Sequence, residues 1–335
     1  MQKIHNQSPN VRVQSLPISQ NELGAWQNGS VHVRTLLIFN MSQKTEIFFK
    51  SRWLPWALVA PQGIIVLVFF FWPAGQALVN SFQESDAFGM SVEWVGIKNF
   101  IALLTNPAYW YSFKVTGIFS VLVAVIGIGL ALILAVFADR VVRATLIYRS
   151  LIIWPYAVAP AVAGILWLFL FSPSVGVVAR SLEAIGVQWN SLLNSDHAMA
   201  LIVIASVWKQ ISYNFLFFLA GLQSIPKSLI EASMLDGAGP SRRFWSIQLP
   251  LLSPVFFFLL VINIVYAFFD TFGIIDATTQ GGPGKETEIL VYKVYFDGFK
   301  ALDLGSSAAQ SVILMTIVIL LTALQFKFID KKVNY

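Results

Sequence analysis

VTGIFSVLVAVIGIGLALILAVFA, residues 115–138, is a run of 24 residues without one charged side chain. A helix that crosses a bilayer needs about 20 mostly apolar residues, because a helix pairs its own backbone groups where no water is present. The whole chain has the same character: it is 57% hydrophobic and 12% charged, against roughly a quarter charged in soluble domains. The sequence therefore predicts an all-α integral membrane protein.

Five further apolar stretches have the length of a span. The six predicted spans cover about 54–81, 115–138, 147–171, 199–222, 252–275 and 307–328. Proline occurs inside several of them, and membrane helices tolerate it when neighbouring helices satisfy the freed backbone groups. No repeat of 20–50 residues is visible, which excludes a solenoid. We expect one six-helix transmembrane domain over 47–335.

The orientation of these spans follows from the Lys and Arg residues, which are retained in cytoplasmic loops. The short segments before the first span, after the second and fourth, and after the last carry twelve of them, whereas the longer intervening segments carry six. Both termini are therefore expected in the cytoplasm. The net charge of +5 labels this topology and is too scattered for a nucleic-acid groove.

Residues 1–46 have a different composition, polar and rich in Asn, Gln and Ser. We expect this extension to be disordered. Met41 opens MSQKTEIFFKSRWLPW, a plausible cytoplasmic leader, so translation from Met41 with a spurious preceding segment is an alternative expectation. Intact mass of the purified protein distinguishes the two.

The residues available for chemistry are few. Cysteine is absent and the three histidines are far apart in sequence, so neither a metal site nor a disulfide is expected. No span offers a Ser/His/Asp set or paired carboxylates near a histidine. The chain also has no phosphate-binding GK[ST] loop, so we expect it to bind no cofactor of its own.

The loop 223–250, which contains SIPKSLIEASMLDGAGPSRRFWSIQLP, is the longest expected cytoplasmic segment between two spans. Ser224 is a candidate N-cap for a short amphipathic helix, and Gly237-Ala238-Gly239-Pro240 supplies the residues that end one. A second short helix is predicted over about 241–248. Two short helices around a glycine elbow form a shape suited to docking in a partner's groove.

The spacing within this loop resembles the EAA signature of binding-protein-dependent ABC-transporter permeases, EAA-x3-G-x9-I-x-LP. It is carried here by Glu231, Ala232, Ser233, Gly237, Ile247, Leu249 and Pro250. Ser233 replaces the usual second alanine, a substitution of one small residue for another. From about residue 52 onward the chain is similar to the sn-glycerol-3-phosphate permeases among the sugar-type importers.

This resemblance implies a MetI-like permease fold in the inner membrane of a prokaryote. It implies half of a translocation path for sn-glycerol 3-phosphate, or its diesters, within a heterodimer with a second permease subunit. A solute-binding protein and two copies of a cytoplasmic ATPase complete such importers, and the ATPase uses ATP and Mg. The family implies ATPase coupling through Glu231, Ala232, Ser233, Asp236, Gly237, Ile247, Leu249 and Pro250. Without the pattern, Glu231 is simply a solvated charge.

Polar side chains inside the predicted spans are candidates for the path, since charges in hydrocarbon are costly. They are Lys209, Tyr213 and Asn214 in the fourth span and Asn263, Tyr266 and Asp270 in the fifth. One hypothesis is that Lys209, with Tyr213 and Asn214 as neutral donors, lines a passage for an anionic solute. The alternative is that Lys209 and Asp270 neutralise each other or bond backbone groups.

Three other functions remain open at the level of sequence. A permease for a neutral sugar or disaccharide has the same topology and loop. An ion-coupled secondary transporter requires inverted repeats or discontinuous helices and no docking loop. A membrane enzyme requires a catalytic set that the spans do not offer.

Overall fold

The computed structural model describes residues 53–86, 91–140 and 145–329. The chain divides into two compact units, Met1–Pro61 and Gln62–Tyr335. Of the first unit, only the beginning of one helix is described. The predicted extension 1–46 and the alternative start at Met41 lie outside the described residues.

Within the described ranges, five helices are long and apolar enough to cross a membrane, and a bent pair supplies a sixth candidate. We call them spans one to six in chain order: Leu54–Asn80, Pro107–Arg140, the pair Ile147–Ala157 and Pro160–Leu170, Ser195–Ser224, Ser253–Asp270 and Leu304–Lys327. The predicted all-α membrane fold is confirmed.

Span one consists of α1 (Leu54–Val66), a π-turn (Leu67–Phe71) and α2 (Trp72–Asn80), and a two-stranded hairpin and a short helix lead into span two. These are β1 (Gln83–Ser85), β2 (Val92–Trp94), α3 (Lys98–Thr105) and α4 (Pro107–Arg140). Span three follows as α5 (Thr145–Ile153), a 3-10 turn (Trp154–Ala157) and α6 (Pro160–Leu170), and α7 (Val177–Ala184) connects it to α8 (Ser195–Ser224).

The second half of the chain begins with the loop helices. They are α9 (Lys227–Leu235), α10 (Pro240–Arg243), a π-turn (Phe244–Gln248) and α11 (Leu249–Leu251). Span five consists of α12 (Ser253–Val265) and a π-turn (Tyr266–Asp270), and it is followed by α13 (Phe272–Thr278), α14 (Leu290–Tyr295), a π-turn (Phe296–Lys300) and α15 (Leu304–Ile329).

Span two begins at Pro107, earlier than the predicted residue 115. The Asn106 side chain accepts a hydrogen bond from the Ala108 N–H at 2.9 Å, and proline in the first helical position needs no hydrogen-bond acceptor. An N-cap followed by proline therefore starts the helix well before its apolar run.

Span three is bent by 106° and is not the continuous helix predicted over 147–171. The helix tightens into a 3-10 turn at Trp154–Ala157, and Val158 and Ala159 are extended before α6 begins at Pro160. A residue that precedes proline is disfavoured in the helical region. Pro160 therefore fixes the position of the break.

The core is centred on the packing of α4 against α8, the most extensive helix pair. At one end Phe119 and Val123 pack with Ile202, and at the other Ala131 and Ala135 pack against phenylalanines 215 and 218. Small residues on α4 let the two helices approach closely, a common feature of membrane helix packing.

The hairpin is held against α3 and the start of α15. Lys98 donates to Glu84 at 2.7 Å, and this hydrogen bond raises the pKa of the exposed Lys98. Asn99 donates to the carbonyl oxygens of Ser81 and Gln83 at 3.1 and 2.8 Å. Gly305 allows the close approach, because a Cβ there would lie 2.4 Å from the Gln83 carbonyl oxygen.

A buried ionic cluster joins α14 to spans two and six. The Lys293 ammonium lies 2.9 Å from the Asp297 carboxylate and 3.6 Å from that of Glu288. Ser112 of span two donates to Glu288 at 3.3 Å, and Gln310 of span six donates to Asp297 at 2.6 Å. One cation thus compensates two carboxylates where three elements meet.

Replacing Lys293 by Met is expected to destabilise the fold by about 3–5 kcal/mol, because two carboxylates remain buried without their cation. Thermal unfolding of the detergent-solubilised protein measures the effect. Lys300→Met is the matched control, since Lys300 is exposed on the same segment. Equal melting temperatures for the two variants would show that the cluster contributes nothing to stability.

Candidate functional site

A cavity of about 400 Å³ lies at the bend of span three, between spans three, four and five. Its lining residues are Tyr156, Pro160, Lys209, Gln210, Tyr213, Ile262, Tyr266 and Asp270. Four of the six predicted path residues, Lys209, Tyr213, Tyr266 and Asp270, are therefore brought together.

Lys209 is fixed by the bend itself. In a continuous helix the Tyr156 carbonyl would accept from the N–H of residue 160, which proline lacks. The Lys209 ammonium donates instead to the carbonyl oxygens of Tyr156 and Val158, at 3.1 and 2.9 Å. The structure thus shows Lys209 bonded to backbone groups, which is one half of the alternative hypothesis. Lys209 also lines the cavity.

Aromatic rings form one wall of the cavity. The Lys209 nitrogen lies 5.4 Å from the centroid of the Tyr156 ring, within the range of a cation–π interaction. The Tyr156 and Tyr213 rings are 5.8 Å apart. Tyr266 is buried, and its hydroxyl donates to the Ser206 carbonyl at 3.2 Å. Of the three tyrosines, Tyr266 is therefore held by span four.

Asp270 also lines the cavity and lies at the end of the π-turn Tyr266–Asp270. Within the described residues no salt bridge joins Asp270 to Lys209, and no side chain there donates a hydrogen bond to its carboxylate. Direct mutual neutralisation, the other half of the alternative hypothesis, is not observed. The cavity thus presents an ammonium, a carboxylate, an amide and phenol groups, a set suited to a small polar solute with an anionic group.

Asn214 and Asn263 are not among the residues that line this cavity. They are fully buried and exchange two hydrogen bonds, of 3.1 and 2.8 Å. Asn263 also donates to the Leu259 carbonyl at 2.7 Å. Asn263 and Tyr266 both contact span four, whereas the π-turn Tyr266–Asp270 shifts the side-chain register between Asn263 and Asp270. The two amides clamp span four to span five.

The loop after span four contains the predicted short helix, α9, closed by a left-handed glycine. Gly237 has φ +75°, and the Ala238 N–H donates to the Ser233 carbonyl at 3.0 Å, a pattern typical of Schellman caps. The predicted N-cap role of Ser224 is wrong, because its hydroxyl donates back to the Gly221 carbonyl at 2.7 Å. Helix α9 begins at Lys227 after Pro226.

The second loop helix extends further than predicted. It runs through the π-turn Phe244–Gln248 into α11 and so continues past Pro250. Ile247 and Leu249 are half-buried on it and Pro250 is exposed.

The residues of the EAA pattern divide by exposure. Glu231, Ala232 and Asp236 are exposed, whereas Ser233 is buried and its hydroxyl donates to the Ile230 carbonyl at 2.7 Å. Leu235 is 90% exposed. The helix thus presents carboxylates beside an unburied leucine.

Sequence reasoning missed Tyr156, Pro160, Gln210 and Ile262 as lining residues. The signal for the first two was present, because prolines 155 and 160 interrupt an apolar segment within two turns of each other. Such interruptions in membrane helices point to binding sites. Nothing in the sequence distinguishes Ile262 from its apolar neighbours.

The sequence from Gly127 to Tyr335 matches the family model for binding-protein-dependent transport system inner membrane components. The chain belongs to this family. Membership selects a transport component over the secondary transporter and membrane enzyme left open by the sequence. It also makes this chain a multi-pass permease subunit rather than an enzyme.

Among curated proteins this permease is similar to the sn-glycerol-3-phosphate transport system permease protein UgpA of Brucella abortus, with 59% identity over 290 residues. The UgpA of Rhizobium meliloti is 62% identical over the same length. Each alignment covers 87% of this chain and 99% of the relative.

Two solved structures show the same fold. One is a bacterial ABC transporter involved in the import of the acidic polysaccharide alginate, with TM-score 0.73, 21% identity, and coverage of 84% of this permease and 96% of that chain. The other is a bacterial alginate ABC transporter in complex with a pentasaccharide-bound periplasmic protein, with the same values.

The asparagine clamp leads to a double-mutant prediction. Asn214→Leu alone and Asn263→Leu alone are each expected to lower stability by about 1 kcal/mol, because each leaves a buried amide unpaired. The double variant is expected to lose less than the sum, since no amide remains. Unfolding of the purified protein in detergent measures the cycle, and strict additivity would contradict the clamp.

Proposed function

We propose that this permease forms half of the translocation path of an ATP-driven importer for sn-glycerol 3-phosphate, with glycerophosphodiesters as further solutes. Near full-length identity of about 60% to proteins named for that solute carries the proposal. The cavity at the bend of span three supports it, since an ammonium inside the membrane suits an anionic solute.

Lys209, Tyr213, Tyr266 and Asp270 are proposed to form the path within this chain. The Lys209 ammonium donates to two carbonyl oxygens and still borders the cavity, so its third N–H is available to a phosphate oxygen. Asp270 is suited to accept hydrogen bonds from the glycerol hydroxyls. Asn214 and Asn263 are proposed to act indirectly, by fixing the spacing between spans four and five.

The loop 223–250 is proposed to couple this path to an ATPase. Glu231, Asp236 and the 90%-exposed Leu235 offer two charges and one apolar anchor on a helix held by the Gly237 elbow. Ile247, Leu249 and Pro250 lie on the helix that follows the elbow, and Ala232 and Ser233 are small residues within α9. Leu235 is proposed as the apolar contact with the ATPase.

The remaining assembly follows from the same proposal. A second permease subunit completes a heterodimer, a solute-binding protein delivers the solute, and two copies of a cytoplasmic ATPase use ATP and Mg. Both termini and the loop 223–250 face the cytoplasm, as the Lys and Arg distribution indicates. The membrane is the inner membrane of a prokaryote.

A permease for a neutral sugar is the second candidate, and Asp270 favours it. A carboxylate in a cavity lined by three tyrosines also suits a solute with many hydroxyl groups and no charge. Uptake of an anionic solute should depend mainly on Lys209, whereas uptake of a neutral sugar should depend mainly on Asp270.

Lys209→Gln in the complete importer is therefore expected to lower uptake of glycerol 3-phosphate about ten-fold or more, because a charge-assisted bond to phosphate is lost. Asp270→Asn removes a negative charge at equal size and is expected to keep at least half of the uptake. Radiolabelled uptake into proteoliposomes measures both.

Retained ATP hydrolysis stimulated by the binding protein is the control for assembly of the Lys209→Gln complex. Lys209→Arg, which keeps the charge and the donors, is expected to recover part of the uptake. Normal uptake by an assembled Lys209→Gln complex would remove Lys209 from the path, and selective loss in Asp270→Asn would favour the neutral sugar.

Leu235→Ser tests the coupling loop. Because this leucine is almost fully exposed, its loss is expected to leave the stability of the permease unchanged while reducing co-purification of the ATPase about ten-fold. The matched control is Leu193→Ser, at a leucine that is 81% exposed at the opposite end of span four. Equal ATPase recovery in both variants would place the interface elsewhere.

A further inference from the structure

An apolar crevice of about 660 Å³ separates α4 from the helix that follows the glycine elbow. One wall is a single face of α4 that includes Gly129, Ile133, Phe137 and Arg140, and the other includes Phe244 and Trp245. It shares no residue with the cavity at Lys209. None of its lining residues belongs to the proposed path or to the EAA pattern.

The crevice changes character along its length. From Gly129 to Phe137 the α4 wall is apolar, and it ends in the cation of Arg140 at the last turn of the helix. The eleven residue steps from Gly129 to Arg140 correspond to about 16 Å of helix at ~1.5 Å per residue. One leaflet of a bilayer has a hydrocarbon depth of about 15 Å. The length and the polarity gradient both match one acyl chain with its headgroup.

Charge and exposure identify the headgroup. Across the residues that the structure describes, no carboxylate forms a salt bridge with Arg140. Phe137 and Trp245 are 63% and 64% exposed, so the crevice opens sideways, and tryptophan at this depth is typical of the membrane interface. A guanidinium at the mouth of an apolar crevice favours a phosphate or another anion.

We propose that this crevice is a binding site for one anionic phospholipid of the surrounding bilayer. One acyl chain lies along α4 toward Gly129, and the headgroup phosphate contacts Arg140. The orientation proposed above assigns the site to the cytoplasmic leaflet. That assignment rests on the proposed function, whereas the site itself does not.

The experiment uses the complete importer in nanodiscs that contain phosphatidylglycerol and phosphatidylethanolamine with identical acyl chains. Native mass spectrometry counts the lipids retained after release from the nanodisc. The wild-type complex is expected to retain one phosphatidylglycerol with a preference of about five-fold over phosphatidylethanolamine, the ratio expected for one interfacial cation. Arg140→Gln is expected to abolish the preference, and Lys327→Gln, an exposed cation at the end of span six, to retain it.

A second pair of variants tests the acyl chain. A side chain at Gly129 meets nothing within 4 Å, so Gly129→Leu fills the floor of the crevice without a clash and improves helix propensity. It is expected to lose the retained lipid. Gly117→Leu, on the same helix and also in open space, is the control and is expected to keep it.

A photocrosslinking amino acid at Phe137 identifies the occupant directly. Labelled phosphatidylglycerol in the crosslink supports the site, whereas a crosslink to another subunit of the importer would overturn it. Unchanged lipid retention and preference in both Gly129→Leu and Arg140→Gln would also overturn it. These outcomes do not depend on which solute the importer carries.

Discussion

The hydrogen bonds from Lys209 to the Tyr156 and Val158 carbonyls hold the bend of span three, beside the cavity proposed as part of the translocation path. Inside a bilayer an unpaired carbonyl costs several kcal/mol, so a helix breaks there only where another group satisfies the freed backbone. Pro160 creates the break and Lys209 satisfies it. The same contacts offset part of the cost of placing the ammonium itself inside the bilayer. The cavity between spans three, four and five can form because Lys209 provides hydrogen bonds to the carbonyl groups at the break.

The rest of the fold keeps that arrangement in place. The asparagine pair fixes the distance between spans four and five, and small residues on α4 let it pack closely against α8. At one end of the bundle the Lys293 cluster ties α14 to spans two and six. At the other, the glycine elbow holds α9 with its leucine exposed. The two surfaces proposed to act in transport, the polar cavity and helix α9, thus both adjoin the clamped pair of spans four and five.

Much of the fold could be predicted from sequence, because hydrophobic length alone identifies membrane helices and the bilayer leaves few alternatives. The Lys and Arg pattern also predicts the orientation in the membrane, which is defined relative to the bilayer and not by contacts within one chain. Helix ends were less predictable: Asn106 and Pro107 start span two outside its apolar run. The bend in span three is signalled by its prolines, but its angle depends on packing against span four.

The candidate site was predictable in part for the same reason. Charged residues in apolar segments are conspicuous, so Lys209 and Asp270 stand out in the sequence. Asn214 and Asn263 are also conspicuous as polar residues in apolar segments, yet they pair with each other. Helical spacing does not reveal which face of a helix meets a neighbour. A π-turn between Asn263 and Asp270 changes the register, and no residue type in that segment specifies it. The exposure of Glu231 and Leu235 favours a docking role for α9, and exposure is a property of the folded chain.

The central claim is that this permease serves an importer for a small anionic phosphate ester. It is tested most directly by ATP hydrolysis of the complete complex, reconstituted with its binding protein and given glycerol 3-phosphate, a glycerophosphodiester or maltose. The account predicts stimulation by glycerol 3-phosphate and none by maltose. Stimulation by maltose, with glycerol 3-phosphate inactive, would contradict it.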